Sequence, residues 1–120
     1  MLTLPLTEQT KNMFDKKMFD HFKPNSILVN IARGAVVNQD DLVFALQNNN
    51  LFGAVLDVFE NEPLSENSEL WGMKNVIITP HIAGPSFSGD EATKDKIWKI
   101  CFENIERYLQ GGKLRNVVDF

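Results

Sequence analysis

Three side chains with complementary chemistry follow three separate apolar segments of the sequence: Arg33, Glu62 and His81. An arginine guanidinium presents a fixed fork of donors that suits bidentate capture of a carboxylate. An imidazole exchanges a proton near neutral pH, and a carboxylate beside it favours its protonated form. Together these residue types indicate a site that binds and protonates a carbonyl acid.

Each of these residues also has a plainer interpretation. An arginine before a glycine is common in solvated turns, and a single histidine after a strand is commonly structural. The carboxylates of Asp57, Glu60 and Glu62 are equally compatible with a hydrated acidic edge. Only the coincidence of ionisable groups at three segment ends favours a shared site.

The apolar pattern predicts the elements that must position these side chains. Strands are expected at residues 26–31, 51–56 and 75–79, and the first reads as a central strand covered on both faces. A first helix is expected at residues 15–22. A second begins after the N-cap Asn38 and ends at residues 48–50. A third begins at a capping box at Ser88 and runs to about Gln110, where Gly111 and Gly112 end it.

This alternation of strands and helices is typical of α/β proteins. We therefore expect a partial Rossmann-like, mostly parallel sheet with flanking helices, incomplete without a preceding part. Ligands of such sheets bind beyond the carboxyl ends of the strands. Arg33, Glu62 and His81 would then meet in one cleft.

Composition narrows the class of protein. The chain has 120 residues, 43% hydrophobic and 23% charged, which suits one soluble globular domain or part of one. A formal charge of -4 without a basic run argues against a nucleic-acid partner, and no apolar run approaches the ~20 residues of a membrane span. One cysteine and two histidines are poor material for a metal site, and the absence of a secretory signal predicts a cytoplasmic protein.

Four segments resemble, in order and spacing, the NAD-dependent D-isomer-specific 2-hydroxyacid dehydrogenase family. They are LPLTEQT at residues 4–10, VNIARG at 29–34, GAVLDVFENEPL at 53–64 and TPHIAG at 79–84. The resemblance implies an oxidoreductase that transfers a hydride between NAD(P)H and a 2-oxo acid to give a D-2-hydroxy acid. The resemblance does not decide whether the cofactor is NAD or NADP. It also does not decide whether the substrate is glyoxylate, hydroxypyruvate, pyruvate or a bulkier 2-oxo acid.

The resemblance also implies a role for individual residues. Arg33 would hold the substrate carboxylate and polarise its carbonyl, His81 would donate the proton, and Glu62 would pair with His81. Asp57 would bind the nicotinamide carboxamide. The cofactor-binding residues implied in this way are Pro5, Ala32, Arg33, Asp57, His81, Ala83 and Gly84.

The glycine-rich G-x-G-x-x-G turn that seats a dinucleotide pyrophosphate does not occur among the seven glycines. The resemblance therefore implies that residues 1–120 are the C-terminal portion of the NAD-binding domain of a longer enzyme, inactive alone. The helix at residues 89–110 is expected to pack on an absent domain or subunit, because its apolar residues exceed a one-sided stripe. A homo-oligomer, in the simplest case a dimer, is expected for the same reason.

Two other functions are compatible with the sequence. One is a non-catalytic α/β module for assembly or dimerisation. The other is a minimal nucleotide-binding domain, which the missing glycine-rich turn disfavours.

Overall fold

The computed structural model describes residues 1–84 and 91–117, and the chain divides into two compact units, Met1–Ala83 and Gly84–Phe120. The first unit contains α1 (Lys16–Phe19), β1 (Ile27–Asn30), α2 (Gln39–Gln47), β2 (Gly53–Leu56) and β3 (Val76–Ile78), with 3-10 turns at Gly34–Val36 and Glu69–Gly72. The second unit contains α3 (Glu91–Leu109). None of the helices in the described ranges is long and apolar enough to cross a membrane.

The three strands form a parallel sheet, as the sequence predicts, and their order in it is β1-β2-β3. Asn30 is paired with Leu56, which is in turn paired with Ile78, so all three strands end at the same edge. On its other side, among residues 1–84 and 91–117, β1 pairs in parallel only with Leu2. The strand predicted to be central is thus the border of the three-stranded ladder, with a single bridge beyond it.

One face of the sheet carries the core of the first unit. Leu28, Ala54 and Leu56 belong to one buried cluster with Leu42 and Leu46 of α2. On the opposite face the side chains of Ile27 and Ile77 are exposed. The prediction that the first strand is covered on both faces is therefore wrong within the described residues, because the apolar face of α2 covers only one side.

The boundaries of α2 follow local chemistry that the sequence predicts. The side chain of Asn38 accepts a hydrogen bond from the backbone N–H of Asp41 at 3.0 Å, which satisfies one of the free donors in the first turn. Asn48 is the C-cap, and Asn49 has a left-handed backbone with φ of 57°. Asparagine tolerates that conformation better than most residues, so the run of asparagines ends the helix.

Helix α3 ends as predicted, at two glycines. Gly111 has φ of 69°, and the N–H of Gly112 donates to the carbonyl of Arg107 at 2.8 Å, the bond of a Schellman cap. The predicted capping box at Ser88 lies outside the described residues. No residue of α3 is buried, and its exposed side chains include Trp98 and Phe102, whose rings stack with centroids 5.9 Å apart.

Gly34 allows the turn after β1 to approach the chain after β2. A Cβ atom at this position would lie 1.8 Å from both the carbonyl carbon and the carbonyl oxygen of Phe59. Both are backbone atoms, which cannot move aside as a flexible side chain can. The requirement for glycine here comes from close backbone contact, and the contact brings the Arg33 turn beside the loop that carries Glu62.

Replacing Gly34 by alanine should therefore destabilise the first unit by about 3 kcal/mol or more, at the upper end of the cost of overpacking. Gly72→Ala is the matched control, because a Cβ there would meet no atom within 4 Å. Its effect should stay within about 0.5 kcal/mol. Urea unfolding of both variants measures the difference, and equal stabilities would contradict the close contact at Gly34.

Candidate active site

Glu62 and His81 form a direct pair. Oε2 of Glu62 lies 2.7 Å from Nδ1 of His81, although the residues come from loops after different strands. The pair borders solvent, since the side chains are 36% and 52% exposed. An ionised carboxylate only accepts hydrogen bonds, so Nδ1 carries the proton of this bond and Nε2 is left for exchange with another molecule.

The second oxygen of Glu62 is also used. Its Oε1 accepts the backbone N–H of Phe59 at 3.0 Å, which fixes the carboxylate in its own loop. The hydrogen bond from His81, aided by that from Phe59, holds the pKa of the Glu62 carboxyl below its usual range. Glu62 is therefore an ionised acceptor near neutral pH, as a partner for an imidazole requires.

Asp57 organises the segment that carries His81. Its side chain is 2% exposed. Oδ1 accepts from the Thr79 hydroxyl at 2.5 Å and from the N–H of Ile82 at 2.8 Å, and Oδ2 accepts from the N–H of Ala83 at 2.9 Å. Burial raises the pKa of the Asp57 carboxyl, but these hydrogen bonds outweigh burial and the pKa is lowered.

His81 has a left-handed backbone with φ of 56°. A non-glycine residue in this region costs free energy and is held only by its surroundings. The N–H of His81 donates to the carbonyl of Asp57 at 2.9 Å, and the next two N–H groups bond to the Asp57 carboxylate. Residue 57 thus holds the unusual backbone on both sides of the imidazole.

Arg33 lies in the turn that follows β1. Its side chain is exposed, and Nη1 donates to the carbonyl of Ala32 at 2.7 Å. Arg33, Ala32 and Pro5 line one cleft of about 480 Å³, which is otherwise bordered by Thr3, Leu4, Leu6 and Ile31. Three of the predicted cofactor-binding residues therefore share a surface.

The predicted single cleft for all three catalytic residues is not observed as one cavity. Glu62 and His81 line a cavity of about 460 Å³ with mostly apolar neighbours, namely Phe59, Pro63, Leu64, Trp71, Ile78 and Pro80. Neither this cavity nor the Arg33 cleft contains all three residues. The Gly34–Phe59 contact brings the backbone of the Arg33 turn beside the loop of Glu62, but the Arg33 side chain borders the cleft that Pro5 and Ala32 line.

Two residues contribute to the site although the sequence does not predict a role for them. Thr79 was predicted only as the last residue of a strand, yet its hydroxyl donates to buried Asp57. Trp71 lines the cavity beside His81, and its Nε1 donates to the carbonyl of Ser65 at 2.9 Å. For Thr79, the available sequence signal was a hydroxyl side chain two residues before a histidine. No local sequence feature marked Trp71.

The residues present suit the nicotinamide end of a dinucleotide. The Arg33 cleft combines apolar walls from Leu4 and Ala32 with one cation. The Asp57 carboxylate accepts three hydrogen bonds out of about four that two oxygens can accept, which leaves one for an amide donor. Ala83 donates to Asp57, and Gly84 lies exposed at the end of the same segment.

Residues 1–83 match the profile described as D-isomer specific 2-hydroxyacid dehydrogenase, NAD binding domain. The chain is 39% identical over 116 residues to glyoxylate/hydroxypyruvate reductase B of Salmonella paratyphi B, covering 97% of this chain and 35% of that protein. It is 41% identical over 108 residues to (S)-sulfolactate dehydrogenase of Chromohalobacter salexigens, covering 90% and 34%.

A solved structure shows the same fold. The D-isomer specific 2-hydroxyacid dehydrogenase of Xanthobacter autotrophicus Py2, in complex with NADPH and MES, matches with a TM-score of 0.89 at 36% identity, covering 98% of this chain and 46% of that one. The chain spans a little over a third of the length of the curated relatives it matches.

The lowered pKa of Glu62 predicts how its contribution to stability depends on pH. A carboxyl whose pKa is lower in the folded state stabilises that state above the ordinary value of about 4.3, and the contribution disappears as pH falls through the lowered value. Glu62→Gln should therefore be less stable than the wild type at pH 7, by less than about 1 kcal/mol for so exposed a pair. The difference should vanish in acid.

Urea unfolding at several pH values measures this difference. Glu66→Gln serves as the control, because it removes an exposed carboxylate of the same loop. A Glu62→Gln deficit that stays constant from neutral to acid pH would show that the carboxylate charge does not contribute to the pair.

Proposed function

Because the chain belongs to the D-isomer-specific 2-hydroxyacid dehydrogenase family, we propose that it supplies the proton-transfer and nicotinamide-facing part of an enzyme that interconverts 2-oxo acids and D-2-hydroxy acids. The observation that carries the proposal is the 2.7 Å contact between Glu62 and His81 beside an open cavity. It leaves Nε2 of an oriented imidazole available for proton exchange.

When bound, NADH or NADPH supplies the hydride that C2 of the 2-oxo acid accepts. His81 then donates its Nε2 proton to the carbonyl oxygen, whose negative charge grows as the C=O π bond breaks. Glu62 keeps the Nδ1 proton in place and stabilises the imidazolium before transfer. In the reverse direction Nε2 accepts the hydroxyl proton of the 2-hydroxy acid.

Arg33 binds the carboxylate that every 2-oxo acid carries. Its exposed guanidinium is free to form two parallel N–H···O bonds with an incoming carboxylate once it leaves the Ala32 carbonyl. The same positive charge stabilises the oxygen that becomes negative, and one such preorganised donor contributes about 3 kcal/mol in comparable sites. Arg33 therefore both selects the substrate class and lowers the barrier.

The nicotinamide side of the site consists of Pro5, Ala32 and Arg33 in one cleft, together with Asp57, His81, Ala83 and Gly84 at the other strand ends. Asp57 would hold the carboxamide N–H of the bound nicotinamide. The pyrophosphate and adenosine groups bind outside the 120 residues, because these contain no glycine-rich turn. We propose for this reason that the chain alone is inactive and is the C-terminal portion of an NAD-binding domain.

A chimaeric enzyme tests the proposal. The chain replaces the matching segment of the Salmonella reductase, with which it aligns over 116 residues, and reduction of glyoxylate by NADPH is followed by absorbance. The chimaera should be active, and His81→Asn should lower kcat by about 10²- to 10⁴-fold, the usual contribution of a general acid.

His21→Asn is the matched control, since His21 is exposed just after α1 and lines neither the His81 cavity nor the Arg33 cleft. Its kcat should equal that of the unmodified chimaera. A folded chimaera in which His81→Asn and His21→Asn are equally active would refute the role of His81.

A second candidate function, a non-catalytic assembly module, is favoured by α3. Trp98, Phe102, Ile105 and Leu109 recur at helical spacing and are exposed, forming one apolar stripe. Exposed contiguous apolar surface is typical of interfaces. The helix is thus proposed to pack on a further domain or a second subunit, which is compatible with the catalytic proposal as well as with this alternative.

Sedimentation of the 120-residue chain at micromolar concentration should show dimers or larger species held by this stripe. Phe102→Glu places a charge in its centre and should yield monomers, because burying an unpaired charge costs several kcal/mol or more. Gln110→Glu, which adds the same charge at an exposed polar position after α3, should leave the association unchanged. A monomeric wild type would contradict the stripe as an interface between copies of this chain.

A further inference from the structure

Asn30 is an amide in the middle of an apolar strand. It is 1% exposed, and the only other polar residue buried to this degree in the described parts of the chain is Asp57. A buried amide without partners costs free energy, so its polar atoms must be satisfied locally. The Oδ1 and Nδ2 atoms of Asn30 are both hydrogen-bonded, and both partner groups belong to the turn that carries Arg33.

The two bonds of the amide close this turn. Oδ1 of Asn30 accepts the N–H of Ala32 at 3.1 Å, and Nδ2 donates to the carbonyl of Arg33 at 3.2 Å. The same side chain therefore holds the backbone immediately before Arg33 and the carbonyl of Arg33 itself. A side chain that lacks either a donor or an acceptor cannot make both bonds.

The backbone of Asn30 is itself anchored. Its carbonyl accepts the N–H of Asp57 at 3.0 Å, and its strand neighbours Val29 and Ile31 bond to Leu2. The amide thus projects from a position that the sheet determines. The turn is held against the sheet, and its orientation does not depend on solvent-exposed contacts.

The other side of Arg33 is held by packing. Gly34 lies directly against the Phe59 backbone, as described above, so the main chain at residue 33 is restrained on both sides. The side chain of Arg33 is exposed, and its Nη1 donates a hydrogen bond to the carbonyl of Ala32. Asn30 and Gly34 therefore fix the backbone position from which the Arg33 side chain extends.

From these contacts we infer that Asn30 is a positioning residue, which holds the Ala32–Arg33 turn so that the guanidinium meets the substrate carboxylate in a productive geometry. The inference rests on the proposed function for the role of Arg33. Asn30 touches no reacting atom, so its loss acts on carboxylate binding through the turn. Small displacements of positioning groups are known to be costly, about 10²-fold for 1 Å in favourable cases.

The test uses the isotopically labelled 120-residue chain and two NMR measurements. Hydrogen exchange of the Ala32 amide and the Arg33 Nε–H signal report the turn directly. Titration with oxamate, a carboxylate analogue of a 2-oxo acid, then reports anion binding through the shift of the Nε–H signal. The first measurement requires no ligand, so it decides the role of Asn30 in the turn by itself.

Asn30→Ala removes both bonds. It should accelerate Ala32 exchange, displace the Arg33 Nε–H signal and weaken oxamate binding about tenfold, the equivalent of one hydrogen bond. Asn30→Asp retains an acceptor for Ala32 but faces the Arg33 carbonyl with a second acceptor. It should therefore keep the Ala32 amide protected while weakening oxamate binding, and it decides the question if the alanine variant does not fold.

Leu46→Ala is the control for loss of stability alone, because Leu46 is buried in α2 within the same unit. It should lower the melting temperature and leave the Arg33 signal and oxamate affinity unchanged. Wild-type exchange and a wild-type Arg33 signal in both Asn30 variants would overturn the inference. Failure of oxamate to shift Arg33 in the wild type would instead overturn the proposed carboxylate-binding function.

Discussion

The buried carboxylate of Asp57 is the interaction on which the candidate site depends. A carboxylate at 2% exposure is tolerated only when hydrogen bonds replace its water, and three donors from residues 79–83 do so. The backbone of Asp57 bonds to Asn30 on one side and to His81 on the other. One residue at the end of the middle strand therefore ties together the chain segments that follow all three strands.

This arrangement separates two tasks in space. The end of β3, joined to the loop after β2, carries the proton-exchanging pair of His81 and Glu62. The end of β1 carries the cation Arg33 and the cleft it shares with Pro5 and Ala32. A substrate that is both an anion and a carbonyl needs both chemistries, and parallel strands supply them at one edge of one sheet.

Much of the fold follows from local sequence. Strand positions, the Asn38 cap and the glycine end of α3 depend on periodicity and on capping chemistry, which act within a few residues of the chain. The parallel direction of the sheet was predicted from the alternation of strands and helices along the chain. A carboxylate after β2 close to His81 was also predictable, because residues after neighbouring parallel strands emerge at the same edge, but the choice of Glu62 over Asp57 and Glu60 came from the family resemblance.

Contacts between segments that are distant in sequence were decided only by the tertiary structure. No local pattern shows that Ile77 remains exposed, since burial depends on which element covers that face of the sheet. None shows that Asp57 turns its carboxylate onto residues 79–83, or that His81 takes a left-handed backbone there. The sequence by itself determined the residue types at the strand ends, because composition and spacing are encoded locally. Their division between two cavities was decided by packing, because it places Arg33 beside Pro5 and Ala32, and Glu62 with His81 beside Trp71 and Leu64.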